Sequence, residues 1–495
     1  MERSAGILLP IFSLPGKYGI GTLGKEARAF ADFLYDAGQK WWQILPVGPT
    51  GAGHSPYTSV STFAGNPFFI DLEALAADGL LTEAELASAQ LPEGEHVAYD
   101  TLWKTREPLL RSAFARSRER GDEAVRQFAQ ERRWLRDYAL FMAAKAYFND
   151  TPWYRWPHEG LRRHEADAIA FWSEKLAEEI SFHCHMQYWF FTQWAALKKH
   201  VNDLGIKIIG DIPIYVSLDS ADVWAEREQF LLDSEGVPSK VAGVPPDYFS
   251  AEGQLWGNPL YNWDYMKRDG FGWWIRRVDG AIQLFDTIRI DHFRGLESYW
   301  AVPADSDTAK VGQWEKGPGM DLLRVLTTWF WNVDVGYIAE DLGLLTDAVH
   351  ELRKESGLPG MKVLQFAFDN PGNAYLPHNY DAHCIAYTGT HDNNTLVGWY
   401  EGAEEKERAF VEAYLGVRGT EAVRKAVIQS GQRSVANLFV AQMQDYLALG
   451  EEARINVPGV AENNWGWRML SGKTTAELAK EIRELTYTFG RCAKA

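Results

Sequence analysis

Cysteine is scarce in this chain, and its scarcity excludes several kinds of site. Only Cys184, Cys384 and Cys492 occur among 495 residues, too few and too scattered for a disulfide framework or a cysteine-rich zinc site. Long apolar runs are also missing, since no stretch of about 18 apolar residues occurs that could span a membrane. Residues 1–5 lack the basic start of a secretion signal. These absences predict a soluble, cytoplasmic protein.

Positive charge is scarce relative to negative charge. The formal net charge is -17 at pH 7, from 50 Lys and Arg against 67 Asp and Glu. Such a balance repels phosphate backbones and anionic lipids, so we expect neither a nucleic acid nor a membrane as partner. The sequence also shows no compact Asp and Asn cluster with calcium-loop spacing, and we expect no metal and no cofactor. A neutral substrate fits this charge better.

Aromatic residues, by contrast, are abundant. The chain has 21 Trp and 21 Tyr. Such side chains fill hydrophobic cores, but they also offer flat amphipathic faces that stack on pyranose rings. Composition leaves both uses open.

Short β-rich runs alternate with stretches of helical periodicity, a pattern typical of βα units around a parallel sheet. The eight candidate strands are residues 7–11, 42–47, 207–214, 285–291, 335–339, 361–366, 384–388 and 454–457. Eight such strands predict an α/β fold of the (β/α)₈ TIM-barrel type. After the eighth candidate strand, too few residues remain for a C-terminal β-sandwich domain.

The candidate strands are unevenly spaced. Roughly 150 residues separate the second from the third and about 70 separate the third from the fourth, far more than ordinary βα loops contain. We therefore expect a mainly helical inserted subdomain at about 71–200 and an active-site lid region at about 217–280. No repeat or flexible linker interrupts the chain, so residues 1–495 are predicted to form one barrel domain carrying these insertions.

Acidic residues stand where candidate strands end, which is where a barrel of this type places its active site. Asp211 ends the third strand, Asp291 the fourth and Glu340 the fifth, and Asp392 follows the seventh. Because side chains alternate along a strand, Arg289 lies on the same face as Asp291. We therefore expect these groups to converge at one barrel mouth.

Each of these groups also has a purely structural alternative. Arg289 and Asp291 could be a buried ion pair, or the arginine could keep Asp291 ionised for nucleophilic attack. Glu340 could be an ordinary exposed strand end, or a proton donor whose pKa is raised by neighbouring carboxylates. His391 and Asp392 could belong to a helix cap or could bind sugar hydroxyls. Three carboxylates at one mouth together favour a retaining glycosidase.

Several longer motifs carry a family resemblance. They are Ser55-Pro56-Tyr57 with Gly65-Asn66-Pro67, Gly210-Asp211-Ile212-Pro213-Ile214-Tyr215, Ala242-Gly243-Val244-Pro245-Pro246-Asp247-Tyr248-Phe249, Trp256-Gly257-Asn258-Pro259, and the motifs around Asp291, Glu340 and Asp392. These motifs extend over nearly the whole chain. They resemble those of glycoside hydrolase family 77, the 4-α-glucanotransferases called amylomaltase or disproportionating enzyme.

The resemblance implies an activity and residue roles. Asp291 would be the nucleophile, Glu340 the general acid/base and Asp392 the transition-state stabiliser, with help from Arg289 and His391. The implied substrates are α-1,4-glucans, namely maltooligosaccharides, amylose, glycogen or starch. The implied reaction is a retaining double displacement that moves a glucan segment to the 4-hydroxyl of an acceptor.

Transfer requires that water be kept from the enzyme-bound sugar, so we expect a lid over residues 242–258. The candidate sugar contacts lie in this lid and in loops that follow the strands; they are Tyr57, Asp211, Tyr248, Phe249, Gln254, Trp256, Asn258, Arg289, His391, Asp369 and Asn464. The alternative is that the lid aromatics only pack the insertion.

Two other functions remain to be separated from transfer. A hydrolase of the α-amylase type would use the same carboxylates, although Tyr215 and Val216 stand where such enzymes typically carry Asn-His. This departure favours the transferase. A non-catalytic glucan-binding protein on the same scaffold is the second alternative, and the presence of all three carboxylates argues against it.

Overall fold

A computed structural model describes residues 2–246, 251–343, 345–460 and 462–492. In chain order, the strands are β1 (Ser4–Leu8), β2 (Trp41–Gln43), β3 (Lys207–Ile212), β4 (Lys240–Val244), β5 (Gln254–Pro259), β6 (Thr287–Ile290), β7 (Ser298–Pro303), β8 (Gln313–Lys316), β9 (Gly336–Ala339), β10 (Gly360–Val363), β11 (Cys384–Tyr387) and β12 (Leu438–Gln442). Eight of them form one sheet in the order β10-β11-β12-β1-β2-β3-β6-β9. Every pairing in this sheet is parallel.

The outer strands of this sheet, β9 and β10, meet and complete the barrel. The Ala339 N–H donates to the Pro359 carbonyl at 3.0 Å, and the Asp341 carboxylate accepts the Met361 N–H at 2.7 Å. Arg353 pairs with Asp341 at 2.9 Å. Because all eight strands are parallel, their carboxyl ends face one mouth. The predicted TIM-barrel fold is therefore confirmed.

The position of the eighth strand differs from the sequence prediction. It is β12, and the prediction of a strand at 454–457 was wrong. All five residues of β12 are buried, as a strand covered on both faces requires, and β12 pairs with β11 and β1. In the segment 454–457 only Ile455 is buried. A run with one buried side chain cannot fill a barrel wall, and it forms a loop.

Helices surround the barrel and make up most of the long insertion between β2 and β3. They are α1 (Lys25–Asp36), α2 (Leu72–Ala77), α3 (Glu83–Ser88), α4 (Tyr99–Arg120), α5 (Glu123–Glu131), α6 (Arg133–Tyr147), α7 (Glu159–Arg162), α8 (Ala166–Lys175), α9 (Ala177–Asp203), α10 (Ala221–Ala225), α11 (Trp263–Arg268), α12 (Gly272–Leu284), α13 (Met320–Trp329), α14 (Asp347–Ser356), α15 (Leu396–Gly402), α16 (Glu405–Leu415), α17 (Thr420–Arg433), α18 (Met443–Tyr446) and α19 (Ala476–Thr488). In the described part of the chain, none of them is long and apolar enough to cross a membrane. The single-domain organisation stays a prediction.

Helix α9 packs the helical insertion against the barrel. The Trp194 indole N–H donates to the Leu284 carbonyl at 3.1 Å, and the Trp194 ring meets Phe285 edge-on at 6.2 Å. The Phe285 ring in turn lies against the backbone of β3 at Gly210, where an added Cβ would fall 2.1 Å from it. Only glycine permits this approach. Insertion and barrel thus share one hydrophobic core.

A second sheet, antiparallel and with the order β5-β4-β7-β8, follows the mouth segments of β3 and β6. Strands β4 and β5 belong to the expected lid at 242–258. Strands β7 and β8 join it from the connection after β6, which the sequence did not predict. The Gly317 N–H donates to the Glu297 carbonyl at 2.7 Å and ties β8 to the turn that follows Asp291. The lid strands are therefore built into a sheet.

Candidate active site

Three charged side chains from β3 and β6 meet at the mouth. The strand register pairs Asp211 with Arg289. Arg289 donates from Nη1 to Oδ2 of Asp211 at 2.6 Å and to Oδ1 of Asp291 at 2.8 Å. The side chains of Arg289 and Asp211 are 4% and 1% exposed, whereas that of Asp291 is 28% exposed. The guanidinium therefore balances a buried carboxylate and holds a second one that solvent can reach.

Glu340 lies beside Asp291 across the strand pair β6 and β9. The register pairs Ile290 with Ala339, and Asp291 and Glu340 follow these two residues. The backbone continues the ladder, because the Glu340 N–H donates to the Ile290 carbonyl at 3.1 Å. Adjacent parallel strands lie about 4.8 Å apart. The two acidic residues are therefore neighbours at the mouth, as the sequence predicted.

The Glu340 carboxyl is fixed by two backbone donors. The His292 N–H donates to Oε2 at 2.8 Å and the Leu342 N–H to Oε1 at 2.9 Å. Burial, reinforced by the charge of Asp291, raises the pKa of Glu340 to about 8, although Arg289 and the two N–H groups oppose this shift. A carboxyl with this pKa carries a proton at neutral pH.

His292 connects the second sheet to this carboxyl, a contact that was not predicted from the sequence. Its backbone has φ 52° and ψ 50°, a left-handed conformation that is uncommon outside glycine and occurs at functional sites. This bend directs the N–H to Glu340. The His292 ring lies 4.8 Å from that of Trp256 in the lid sheet, at an interplanar angle of 84°. Burial lowers the pKa of His292 to about 4.

Asp392 is held by the loop at residues 454–457, which the sequence predicted as a strand. Asn456 donates from Nδ2 to Oδ1 of Asp392 at 2.6 Å, and Arg454 donates to the Asp392 carbonyl at 2.7 Å. His391 Nε2 lies 3.3 Å from the same Oδ1. The Asp392 side chain is 44% exposed. The interaction of Asn456 was not predicted, because it depends on how the loop folds back to the mouth.

Tyr57 lies between Asp211 and His391 and contacts both. Its hydroxyl donates to Oδ2 of Asp211 at 2.7 Å and lies 3.4 Å from Nδ1 of His391. Its ring stacks on that of His391 at 5.0 Å and 19°, and Trp465 lies 5.7 Å from the Tyr57 ring. The contacts of Tyr57 with Asp211, His391 and Trp465 were not predicted. Stacking of Tyr57 on a sugar stays a prediction.

The described lid residues contact one another and the barrel. Gln254 accepts the Trp256 indole N–H at 3.2 Å, and Asn258 donates to the Val216 carbonyl at 2.8 Å. Trp256 remains 36% exposed and reaches the mouth through His292. The predicted contacts Tyr248 and Phe249 lie outside the described residues.

Two further predicted sugar contacts serve their own loops. Asp369 is exposed, and its Oδ1 accepts from the Asn373 side chain at 2.6 Å. Asn464 accepts the Val457 N–H at 2.9 Å and donates to the Val460 carbonyl at 2.7 Å. Among the described contacts, neither residue touches Asp291, Glu340 or Asp392. Their contact with sugar stays a prediction.

The arrangement suits acid-assisted nucleophilic displacement. One accessible carboxylate is held by a guanidinium, and a carboxyl whose pKa is raised to about 8 stands beside it on the next strand. A third carboxylate, that of Asp392, lies in the loop after β11 with a histidine beside it. No group of three or more His, Cys, Asp and Glu among the described residues is arranged to hold a metal ion.

Comparison with known proteins agrees with this geometry. A family model described as 4-alpha-glucanotransferase matches residues 9–474. The 4-alpha-glucanotransferase of Thermus thermophilus is 50% identical over 98% of each chain, and that of Clostridium butyricum is 46% identical over 97% of this chain and 99% of the relative. The structure of an amylomaltase from Streptococcus agalactiae in complex with acarbose matches with a TM-score of 0.96 and 38% identity, covering 99% of this chain and 100% of that one. The chain therefore belongs to glycoside hydrolase family 77, the 4-alpha-glucanotransferases.

Proposed function

We propose that this protein moves segments of α-1,4-glucan from a donor to the 4-hydroxyl of an acceptor glucan or glucose by a retaining double displacement. The observation that carries this proposal is the pair of acidic groups on neighbouring strands at the ends of β6 and β9, one of them held by Arg289. Family membership favours transfer over the hydrolase alternative. The expected cytoplasmic location, suggested by the three unpaired cysteines, is part of the proposal.

In the first step Asp291 attacks the anomeric carbon of the donor. Arg289 holds Oδ1, so the attack uses Oδ2. The bond from the anomeric carbon to the glycosidic oxygen breaks, and the Glu340 proton passes to that oxygen. The shortened glucan leaves with its new hydroxyl, and a sugar ester remains on Asp291.

In the second step the acceptor replaces the leaving glucan. Its 4-hydroxyl attacks the anomeric carbon and gives its proton to the Glu340 carboxylate, which acts now as a base. The ester bond breaks and Asp291 is released as a carboxylate. Two inversions restore the α-configuration. Retention of this kind requires the two carboxyls to lie about 5–5.5 Å apart.

Asp392 and His391 would bind hydroxyls of the sugar at the cleaved bond. Hydrogen bonds to those hydroxyls tighten as the ring flattens toward an oxocarbenium ion, so they lower the barrier rather than only strengthening binding. Asn456 and Tyr57 support this side of the site by holding Asp392 and His391. Trp256, still 36% exposed, would stack on a sugar ring and keep water out.

The products formed from maltotriose test this proposal. A transferase yields glucose together with oligosaccharides longer than maltotriose, whereas a hydrolase yields only shorter sugars. We expect Asp291→Asn to abolish both product classes, because no covalent intermediate can form. Exclusively shortened products from the wild type would favour the hydrolase, and normal transfer by Asp291→Asn would remove that residue from the proposed role.

A further inference from the structure

A carboxylate that this mechanism does not use lies beneath the loop that carries His391 and Asp392. Asp445, in α18 directly after β12, has 0% exposure. Its Oδ2 accepts the Thr388 hydroxyl at 2.5 Å, and its Oδ1 accepts the Leu396 N–H at 2.7 Å. Thr388 follows β11 and Leu396 begins α15, so one side chain holds both ends of the loop.

The middle of the same loop is held by two amide side chains. Gln365 and Gln442 both donate to the Asn394 carbonyl, at 2.7 Å and 3.1 Å. The Gln442 N–H also donates to the Thr388 hydroxyl oxygen at 3.2 Å. Gln442 is the last residue of β12, so β12 and the residues that follow it lie beneath this loop and support it.

Asp445 is an acidic side chain, whereas the other two side chains that hold the loop, Gln365 and Gln442, are neutral amides. Burial raises its pKa to about 6, against the effect of its two donors and of Arg424. Arg424, from α17, donates to the Asp445 carbonyl at 2.6 Å and pairs with Glu421 at 2.7 Å. Burying a carboxylate is costly, whereas its hydrogen bonds are shorter and stronger than those of an amide. The hydrogen bonds from Thr388 and Leu396 offset part of this cost and hold both ends of the loop.

We infer that Asp445 is a positioning residue for glucan transfer. By holding Thr388 and Leu396 it fixes the loop 388–396, and the loop places the Asp392 carboxylate at the mouth. Asp445 itself does not touch the sugar. The inference deepens the proposed function and rests on the assigned role of Asp392.

Paired substitutions at Thr388 test this without removing the buried charge. Thr388→Ser keeps the hydroxyl that Asp445 accepts, and Thr388→Val has nearly the same shape without it. We expect Thr388→Val to lower kcat on maltotriose on the order of 10- to 10²-fold with a much smaller change in KM, because a loosened loop misplaces Asp392. Thr388→Ser should stay within about twofold of the wild type. Equal kcat values for Val and Ser would overturn the inference.

A double-mutant cycle separates positioning from general loss of structure. If Asp445 acts through Asp392, Thr388→Val should have little further effect on the residual rate of Asp392→Asn. The same factor of loss in both backgrounds would overturn the inference. Asp392→Asn with full activity would instead show that the proposed role of Asp392 has failed. Circular dichroism and thermal melting of each variant establish that the folded protein is being compared.

Discussion

The two carboxyls of Asp291 and Glu340 share one barrel mouth but have different immediate neighbours. Asp291 lies against a guanidinium, whereas burial beside Asp291 raises the pKa of Glu340 against the effect of two backbone N–H donors. Glu340→Gln keeps the shape and one of the two acceptor oxygens, but its amide has no acidic proton to give. We expect kcat/KM on maltotriose to fall about 10²–10⁴-fold, the usual range for acid/base assistance. Initial rates at matched enzyme concentration measure this, and an unchanged rate would contradict the assignment.

The raised pKa of Glu340 sets an alkaline limit on the reaction. The protonated form is the donor, so its fraction is high below the pKa of about 8 and is lost as pH rises through that value. We expect kcat/KM of the wild type to decline across this range. In Glu340→Gln the same decline should be missing, since the amide does not titrate. A decline of equal size in both proteins would show that another group causes it.

The positions of residues at strand ends could be predicted, whereas contacts that depend on loop conformation could not. Asp211, Asp291 and Glu340 stand at the ends of buried apolar runs, and strand periodicity is enough to place them. His292 acts through a left-handed backbone bend, and Asn456 acts through a loop that returns to the mouth. Neither conformation leaves a periodic trace in the sequence.

At the scale of elements, β3 depends on a glycine. A Cβ at Gly210 would lie 2.1 Å from the Phe285 ring. That ring is packed in the core and cannot move away freely. We expect Gly210→Ala to lower the free energy of unfolding by about 1–3 kcal/mol, as overpacking does, and to lower activity because Asp211 is the next residue. Thermal melting and transfer rates measure both effects.

Gly402, at the end of α15, provides the matched control. A Cβ there meets nothing within 4 Å, and alanine is favoured over glycine in a helix. Gly402→Ala should therefore keep or slightly raise the melting temperature. Equal melting temperatures for Gly210→Ala and Gly402→Ala would contradict the packing argument.

The barrel strands were predictable to different degrees for a physical reason. Strand β12 runs directly into α18, so strand and helix patterns overlap at its carboxyl end. Strands β7 and β8 are partly exposed strands of the second sheet, and their pairing with β4 is set by tertiary contact.

At the scale of the whole molecule, the insertion and the barrel share one core. Trp194 of α9 bonds to Leu284 and meets Phe285, and the apolar cluster runs through both parts. We expect a single cooperative transition in calorimetric unfolding, with the calorimetric and van't Hoff enthalpies in agreement. Two separate transitions would show instead that residues 71–200 fold as an independent unit.

The bridge formed by Arg289 limits how this protein can be redesigned. The Arg289 guanidinium neutralises Asp211 on β3 and orients Asp291 at the end of the neighbouring strand β6. The two acidic residues therefore cannot be redesigned independently. Replacing Asp211 alone would leave the arginine to a single carboxylate and alter the group that attacks the sugar. Engineering of this mouth must therefore treat Asp211, Arg289 and Asp291 as one unit, changed together or left alone.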